Sequence, residues 1–311
     1  MRILLTGGTG FLGSHIAELL RSRGDDVRAT VRASSNTKQL KSLGVEPAEV
    51  SLENGSGLDD ALRDIDAVIH CAGGGRVRSN DEFYVHNVLT TETLLRAIER
   101  VRPTLKRYVH ASSVSAVPAL SQYGKAKQDA DKLVLAASAR IPTTLMRLPA
   151  LYGPGDTRWA ALYKTVARGV QPVFGKSPPL SLLYATDAAS SLVAPLDSPH
   201  PSASIFSPED GVPITQRDLG AAVAEAIGTS NPVGIPVPGP VLRAAARASE
   251  LVGKITGREV FLTLDKVKDM LGEDWVCDSS SLRRELGWTS KVTLREGTKL
   301  TGEWYRREGL I

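Results

Sequence analysis

Apolar and polar positions repeat with two different periods along the first half of the chain. Residues 3–6 open with three consecutive aliphatic residues, Ile3, Leu4 and Leu5, as in a strand buried on both faces. Residues 11–23 change to a helical period, with Phe11, Leu12, Ile16, Leu19 and Leu20 on one stripe, and Gly24 supplies the stop. In Val27–Arg32, apolar Val27, Ala29 and Val31 alternate with polar Arg28, Thr30 and Arg32. The same reasoning predicts strands over 67–72, 107–112 and 143–148, and helices over 83–100 and 123–139. A β-α-β-α order of this kind implies a doubly wound parallel α/β sheet of Rossmann type.

After Pro149 the pattern breaks. Pro and Gly punctuate 153–179, and 195–213 is rich in Pro and Ser. Helical stretches at 216–228 and 240–256 show no strand signal between them. The expected organisation is a Rossmann domain over 1–168, to which 184–196 return, and a smaller, mostly helical substrate domain over 169–311.

Composition narrows the function. The chain has 311 residues, 42% hydrophobic and 23% charged, within the globular range. Aromatic residues make up 5%, which argues against a stacking platform for single-stranded nucleic acid. The formal net charge is +4, and residues 1–150 carry 20 basic and 16 acidic side chains, so the whole excess sits there. That suits one small anionic ligand rather than a nucleic acid. No run approaches the roughly 18 apolar residues of a membrane helix, and the N-terminal apolar run is too short for a signal peptide. Cys71 and Cys277 form no C-x-x-C pattern and have no histidine at ligand spacing, so no metal site is read and a reduced, cytoplasmic setting is expected.

Thr6-Gly7-Gly8-Thr9-Gly10-Phe11-Leu12-Gly13 stands between the first strand and the first helix. Gly7 permits the tight turn, Gly10 lets the backbone approach a pyrophosphate, and Gly13 lets helix and strand pack closely. A bare glycine triplet is a weak signal, but the strand-turn-helix context is the one a dinucleotide site demands. His15 in this helix reads as an ordinary surface or packing residue. At the end of the second strand an NAD site usually carries an acid for the ribose 2′-hydroxyl. Here Asp25 and Asp26 precede the strand, and Arg32 follows it with Ser34, Ser35 and Lys38 nearby. A guanidinium pairs a 2′-phosphate well, so NADP(H) is favoured over NAD(H).

Tyr123-Gly124-Lys125-Ala126-Lys127 places a phenol and an ammonium one helical turn apart. An ammonium favours a phenolate, which a proton-transfer role requires. The pair follows the strand ending Ala111-Ser112-Ser113, at the sheet edge where ligands bind. Plain structural roles exist for each: Ser113 as a cap, Tyr123 as a core aromatic, Lys127 as a surface helix residue.

Taken together the motifs resemble an extended short-chain dehydrogenase/reductase. The resemblance rests on Gly7, Gly10 and Gly13, on Val68-Ile69-His70-Cys71-Ala72, on Asn87-Val88, and on Arg107–Ser113. It continues through Arg147-Leu148-Pro149-Ala150-Leu151-Tyr152-Gly153-Pro154-Gly155, Leu286-Gly287-Trp288 and Trp304-Tyr305. It implies that Tyr123 exchanges a proton with the substrate oxygen and that Lys127 binds the nicotinamide ribose. Ser113, rather than Ser112, would hydrogen-bond the substrate, and Asn87 would hold the active-site backbone. The implied cofactor contacts are Gly7, Gly10, Phe11, Leu12, Gly13, Arg32, Lys38, Leu52, Ala72, Gly73, Asn87, Lys127, Leu148 and Leu151. Substrate contacts are expected from Gly74, Arg76, Tyr152 and Tyr184, and a homodimer through the 83–100 and 123–139 helices. Nine residues separate Ser113 from Tyr123, a shorter connection than many extended relatives have.

Two branches of that family compete. Nucleotide-sugar epimerases and dehydratases usually carry Asn where Ala150 stands, and often an arginine in the region that here reads Lys176-Ser177-Pro178-Pro179-Leu180-Ser181-Leu182-Leu183-Tyr184. Reductases resembling dihydroflavonol reductase and 3β-hydroxysteroid dehydrogenase fit better, notably over Val27–Arg32. The expected function is an NADPH-dependent reductase of a ketone or aldehyde on a small, fairly apolar substrate. The alternatives are a nucleotide-sugar epimerase/dehydratase and a non-catalytic NADP(H)-binding sensor.

Overall fold

β1 (Arg2–Thr6) runs through a seven-stranded sheet, and its side chains explain its unbroken apolar sequence. Ile3 and Leu5 enter one core cluster and Leu4 the opposite one, all three fully buried. Successive strand residues point to opposite faces, so a sheet covered on both sides needs apolar residues at every position.

The computed structural model describes residues 1–74, 80–176, 178–256, 260, 262–272 and 275–311. After β1 come α1 (Phe11–Ser22), β2 (Asp26–Val31), α2 (Lys38–Ser42), β3 (Glu46–Glu49), α3 (Leu58–Ala61) and β4 (Ala67–His70). Next are α4 (Asn80–Tyr84), a π-turn (Val85–Leu89), α5 (Thr90–Val101), β5 (Arg107–Ser113), α6 (Gln122–Ala137) and β6 (Thr143–Leu148). The chain continues through β7 (Ala150–Tyr152), α7 (Ala160–Ala167), β8 (Val170–Phe174), β9 (Leu182–Tyr184), α8 (Ala185–Val193) and β10 (Ser204–Phe206). It closes with α9 (Gln216–Ile227), β11 (Val233–Val237), α10 (Gly239–Thr256), α11 (Leu264–Met270), α12 (Ser280–Leu286) and α13 (Leu294–Arg307).

The sheet order is β10-β6-β5-β4-β1-β2-β3, with every pairing parallel. From β1 the chain winds outward to β3, then returns to β4 and winds the other way. The switch point therefore lies between β1 and β4, where ligands of such sheets bind beyond the carboxyl ends. Thr6, His70 and His110 stand at one level across β1, β4 and β5. β5 runs on for three more residues to Ser113, paired with Leu148 of β6. At about 3.3 Å per residue, Ser113 projects roughly 10 Å past that level, making one wall of a cleft.

Several elements differ from the sequence expectation, each for a physical reason. β3 is Glu-Pro-Ala-Glu at the sheet edge, where a proline's missing N–H is tolerated. β10, three residues inside the Pro/Ser-rich stretch, forms the other edge by pairing with β6. A strand does lie between the two helical stretches: β11 pairs parallel with β8. The helix expected over 83–100 is interrupted by the π-turn. The Thr90 and Thr91 hydroxyls there donate to the His86 and Asn87 carbonyls at 2.8 and 2.6 Å.

α8 packs on α1, with Ala188, Ala189 and Leu192 in one cluster with Ile16, Ala17 and Leu20. A separate aromatic core joins Tyr152, Tyr163, Tyr184 and Tyr305 from β7, α7, β9 and α13. A smaller cluster holds α10 against α11 through Leu242, Ala246 and Val267. Cys71 and Cys277 are free thiols. No described helix is long and apolar enough to cross a membrane.

Candidate active site

The glycine turn has the close backbone approaches that a dinucleotide cradle requires. A Cβ on Gly13 would lie 2.0 Å from the Gly7 carbonyl oxygen, and one on Gly7, at φ +74°, 2.8 Å from the Ala72 nitrogen. These approaches require glycine and draw α1 onto β1 and β4. Gly10 caps α1 without a side-chain hydrogen bond, so the first N–H groups of that helix are left for an anion. Leu12 lies half-buried behind the turn, packed on the core.

Phe11 carries the turn toward the segment after β7. His15 meets its ring edge-on at 5.6 Å and donates from Nε2 to the Pro154 carbonyl at 2.9 Å. The Arg158 guanidinium stands 5.7 Å from the centre of the Phe11 ring. Asp156 grips Arg158 from Nε at 2.8 Å and Nη2 at 2.7 Å. Burial works against the Arg158 charge, but the Asp156 carboxylate outweighs it and raises the pKa, with Tyr123 and Tyr305 contributing. Sequence reasoning missed Arg158, because an arginine in a Gly/Pro-rich loop carries no periodic signal. The Asp-x-Arg spacing was the one available hint.

Arg32 follows directly on β2 and is exposed, with no ion pair among the described residues. Its backbone N–H donates to the Ser35 hydroxyl at 3.0 Å, which fixes the turn. Lys38 opens α2, also exposed. Both nearby acids are committed at the opposite end of β2: Asp25 accepts from the Met1 ammonium at 3.0 Å and Asp26 pairs with Arg2 at 2.8 Å. Leu52 is half-buried on the core beyond β3.

Beyond β4 the residues Ala72, Gly73 and Gly74 meet α6 and the π-turn. The Ala72 N–H donates to the Thr6 hydroxyl at 3.0 Å. A Cβ on Gly73 would lie 2.9 Å from Asn87 Oδ1 and 3.3 Å from Lys127 Nζ, so both side chains converge on that glycine. Asn87 is 1% exposed, and its Nδ2 donates to the Phe83 and Gly74 carbonyls at 2.9 and 3.2 Å. Its Oδ1 is buried with no hydrogen-bond partner among the described residues. An orphaned acceptor beside a backbone cradle fits a bound hydroxylated ligand.

Lys127, 7% exposed, donates from Nζ to the Ala111 carbonyl at 3.0 Å. Tyr123, one turn earlier on α6, is half-buried against Phe83, with ring centres 5.9 Å apart. Its hydroxyl makes no hydrogen bond among the described residues. Ser113 caps a short turn, its Oγ accepting from the Ser115 N–H at 3.2 Å, so its own proton stays available. Ser112 points the other way and is 4% exposed beside Asp131, which ion-pairs Arg147 at 3.0 Å. Burial raises the Asp131 pKa against the pull of Ser112 and Arg147.

Below the cleft, a row of buried hydroxyls and imidazoles ties the strands together. His70 Nδ1 meets the Thr6 hydroxyl at 2.7 Å and Nε2 the Thr91 hydroxyl at 3.2 Å. Burial, with Lys127 nearby, lowers the His70 pKa to about 3, so it is neutral. His110 is held neutral the same way.

The structure thus brings together the glycine turn, Gly73, Asn87, Ser113, Tyr123 and Lys127 around the switch point. Leu148 and Leu151 flank it on β6 and β7, Leu148 5% exposed and Leu151 half-buried. Tyr152 and Tyr184, expected to face substrate, are each 4% exposed and pack edge-on at 5.5 Å inside the aromatic core. Burial pushes the Tyr184 hydroxyl up to about 12. Gly74 is half-buried with His86 close by, and Arg76 lies outside the described residues.

Comparison with known proteins gives the family. The model of the family described as NAD dependent epimerase/dehydratase matches residues 3–204. A ceramide reductase of Caulobacter vibrioides is 30% identical over 99% of this chain and 96% of that protein. A 4-hydroxy-2-methyl-3-oxo-4-farnesyl-3,4-dihydroquinoline-1-oxide ketoreductase of Stigmatella aurantiaca is 27% identical over 96% of this chain and 94% of its own. Among solved structures, a UDP-glucuronic acid 4-epimerase from Bacillus cereus in complex with NAD shares the fold, with a TM-score of 0.76, 19% identity and coverage of 99% and 97%. The cradle, the Tyr-x-x-x-Lys pair and the family match lead to one conclusion: the chain belongs to the NAD dependent epimerase/dehydratase family.

Proposed function

We propose that this protein reduces a ketone or aldehyde on a fairly apolar small molecule with NADPH, the reverse alcohol oxidation using the same groups. The observation that carries the reading is the convergence of Lys127 Nζ and Asn87 Oδ1 on Gly73, with the Tyr123 hydroxyl one helical turn from Lys127. When bound, the nicotinamide supplies a hydride to the carbonyl carbon. Tyr123 delivers the proton to the carbonyl oxygen, which completes the alcohol. Ser113, whose lone pair is engaged by the Ser115 N–H, donates its own proton to that oxygen and orients it. Lys127, anchored on Ala111, stabilises the phenolate left behind and holds ribose hydroxyls together with Asn87. Gly7, Gly10, Phe11, Leu12 and Gly13 would hold the pyrophosphate, and Leu148 and Leu151 the nicotinamide face.

The NADP preference is supported by Arg32. Its guanidinium has no ion pair among the described residues, while the acids that could hold a ribose 2′-hydroxyl are committed elsewhere. A free guanidinium at this position suits a 2′-phosphate. The apolar substrate class is supported by Ala150, where epimerases usually have asparagine, and by two curated relatives named for ceramide and a farnesylated quinoline oxide. The fold of nucleotide-sugar epimerases keeps that second reading in view. The test is turnover by purified protein with NADPH and a panel of apolar carbonyls, against nucleotide sugars with NAD. Reduction of at least one carbonyl is expected. Failure on every carbonyl together with turnover of a nucleotide sugar overturns the reading.

A further inference from the structure

α10 is apolar on both sides. Its inner face places Leu242 and Ala246 in the core, 3% and 0% exposed. Its outer face carries Val241, Leu251, Val252 and Ile255, which are 56%, 59%, 56% and 76% exposed. At 100° per residue, these four with the exposed Ala244 and Ala248 cover a continuous arc of roughly 100° that contains no charged residue. Arg243 and Arg247, one turn apart, border the arc on one side. Both are exposed, and neither has an ion pair among the described residues. Aliphatic side chains concentrated on a solvent-facing arc mark an interaction surface.

Among the described residues, three acids near this face are turned inward. Glu250 accepts the Leu264 N–H at 2.8 Å, Asp265 the Gln122 N–H at 2.8 Å, and Asp269 the Ser121 hydroxyl at 3.1 Å. The last two bonds clamp α11 onto the first turn of α6, which carries Tyr123. Between these elements lies a groove of about 440 Å³ lined by Leu120, Arg243, Leu264, Val267, Lys268 and Leu271. One side of it belongs to α10, and another is Leu120, three residues before Tyr123. An aliphatic arc with a cationic border and inward-turned acids complements an anionic lipid surface, in which such a helix lies parallel to the interface.

We propose that α10 docks the protein on an anionic lipid bilayer, its aliphatic arc between the headgroups and Arg243 and Arg247 on lipid phosphates, and that an apolar substrate passes from the bilayer along the groove toward Tyr123. The second half of this statement rests on the apolar-substrate reading above; the docking itself does not.

The test is flotation of the full chain with phosphatidylcholine vesicles, with and without one quarter phosphatidylglycerol. Binding to the anionic vesicles, weakened by salt, is expected. The Leu251→Asp/Ile255→Asp variant should lose binding at least tenfold, and Arg243→Glu/Arg247→Glu should lose the preference for anionic vesicles. Ala248→Glu, at the centre of the arc, is the independent second variant. Unchanged thermal midpoints and unchanged NADPH binding in Leu251→Asp/Ile255→Asp show that the fold is intact. Absence of flotation with either vesicle, or equal flotation of wild type and both arc variants, overturns the proposal. So does a wild-type dimer in sedimentation velocity that Leu251→Asp/Ile255→Asp dissociates, since a second copy then covers the arc. Vesicle binding with turnover of a nucleotide sugar and of no carbonyl sinks the reductase reading and leaves the docking surface standing.

Discussion

Lys127 Nζ donates to the Ala111 carbonyl oxygen at 3.0 Å, which ties α6 to the strand that presents Ser113. Lys127 is 7% exposed and its Nζ meets a neutral carbonyl, so a charge there, one helical turn from Tyr123, is poorly screened. Lys127→Met keeps the length and removes the charge. It should lower kcat/KM by about 100-fold or more and weaken cofactor binding, read by steady-state kinetics and NADPH titration. Wild-type kinetics would remove Lys127 from the mechanism.

Gly13 is fixed by its neighbour Gly7. A Cβ 2.0 Å from the Gly7 carbonyl cannot be accommodated without moving α1 off the sheet. Gly13→Ala should abolish cofactor binding and destabilise by about 1–3 kcal/mol, seen in the thermal midpoint and in NADPH fluorescence.

Arg32 tests cofactor choice. A lost hydrogen bond to a charged group costs about 1.5–3 kcal/mol. Arg32→Ala should therefore weaken NADPH roughly 10- to 100-fold and leave NADH nearly unchanged, measured as paired dissociation constants. Equal losses for both would reject its assignment to the 2′-phosphate.

The buried histidines set a pH window for stability. Burial holds His70 at a pKa of about 3, against an ordinary 6.5, and His110 is lowered in the same direction. Below pH 6.5 the unfolded chain binds protons that the native state refuses, so stability falls as pH drops from 6.5 toward 3. His70 lowers stability by about 1.4 kcal/mol per pH unit inside that window, and His110 adds to the loss in the same direction. Urea unfolding at pH 6.5 and 5.0 should show the loss before the carboxylates titrate. Equal stabilities would mean that these imidazoles are not buried neutral.

The parts legible in the sequence were those in which one residue pattern decides the structure. β1 and β4, buried on both faces, need short aliphatic runs, and the glycine turn needs Gly7 and Gly13. Edge strands β3 and β10 and the inserted β11 were not legible, because strands of three to five residues, two of them broken by Pro47 or Pro236, owe their conformation to a neighbouring strand. The π-turn depends on threonine hydroxyls meeting particular carbonyls, which no periodicity reveals. Tyr152 was expected to contact substrate, but it is buried, and Gly297 packs so closely that a Cβ there would lie 2.5 Å from the tyrosine oxygen. Arg158 became visible only when the fold carried it over Phe11.

The most direct test of the account is Tyr123→Phe, which removes one oxygen atom from a half-buried ring packed on Phe83. This variant should fold and bind NADPH like the wild type while carbonyl reduction, followed as loss of NADPH absorbance, falls by about 100-fold or more. Full activity in Tyr123→Phe would contradict it.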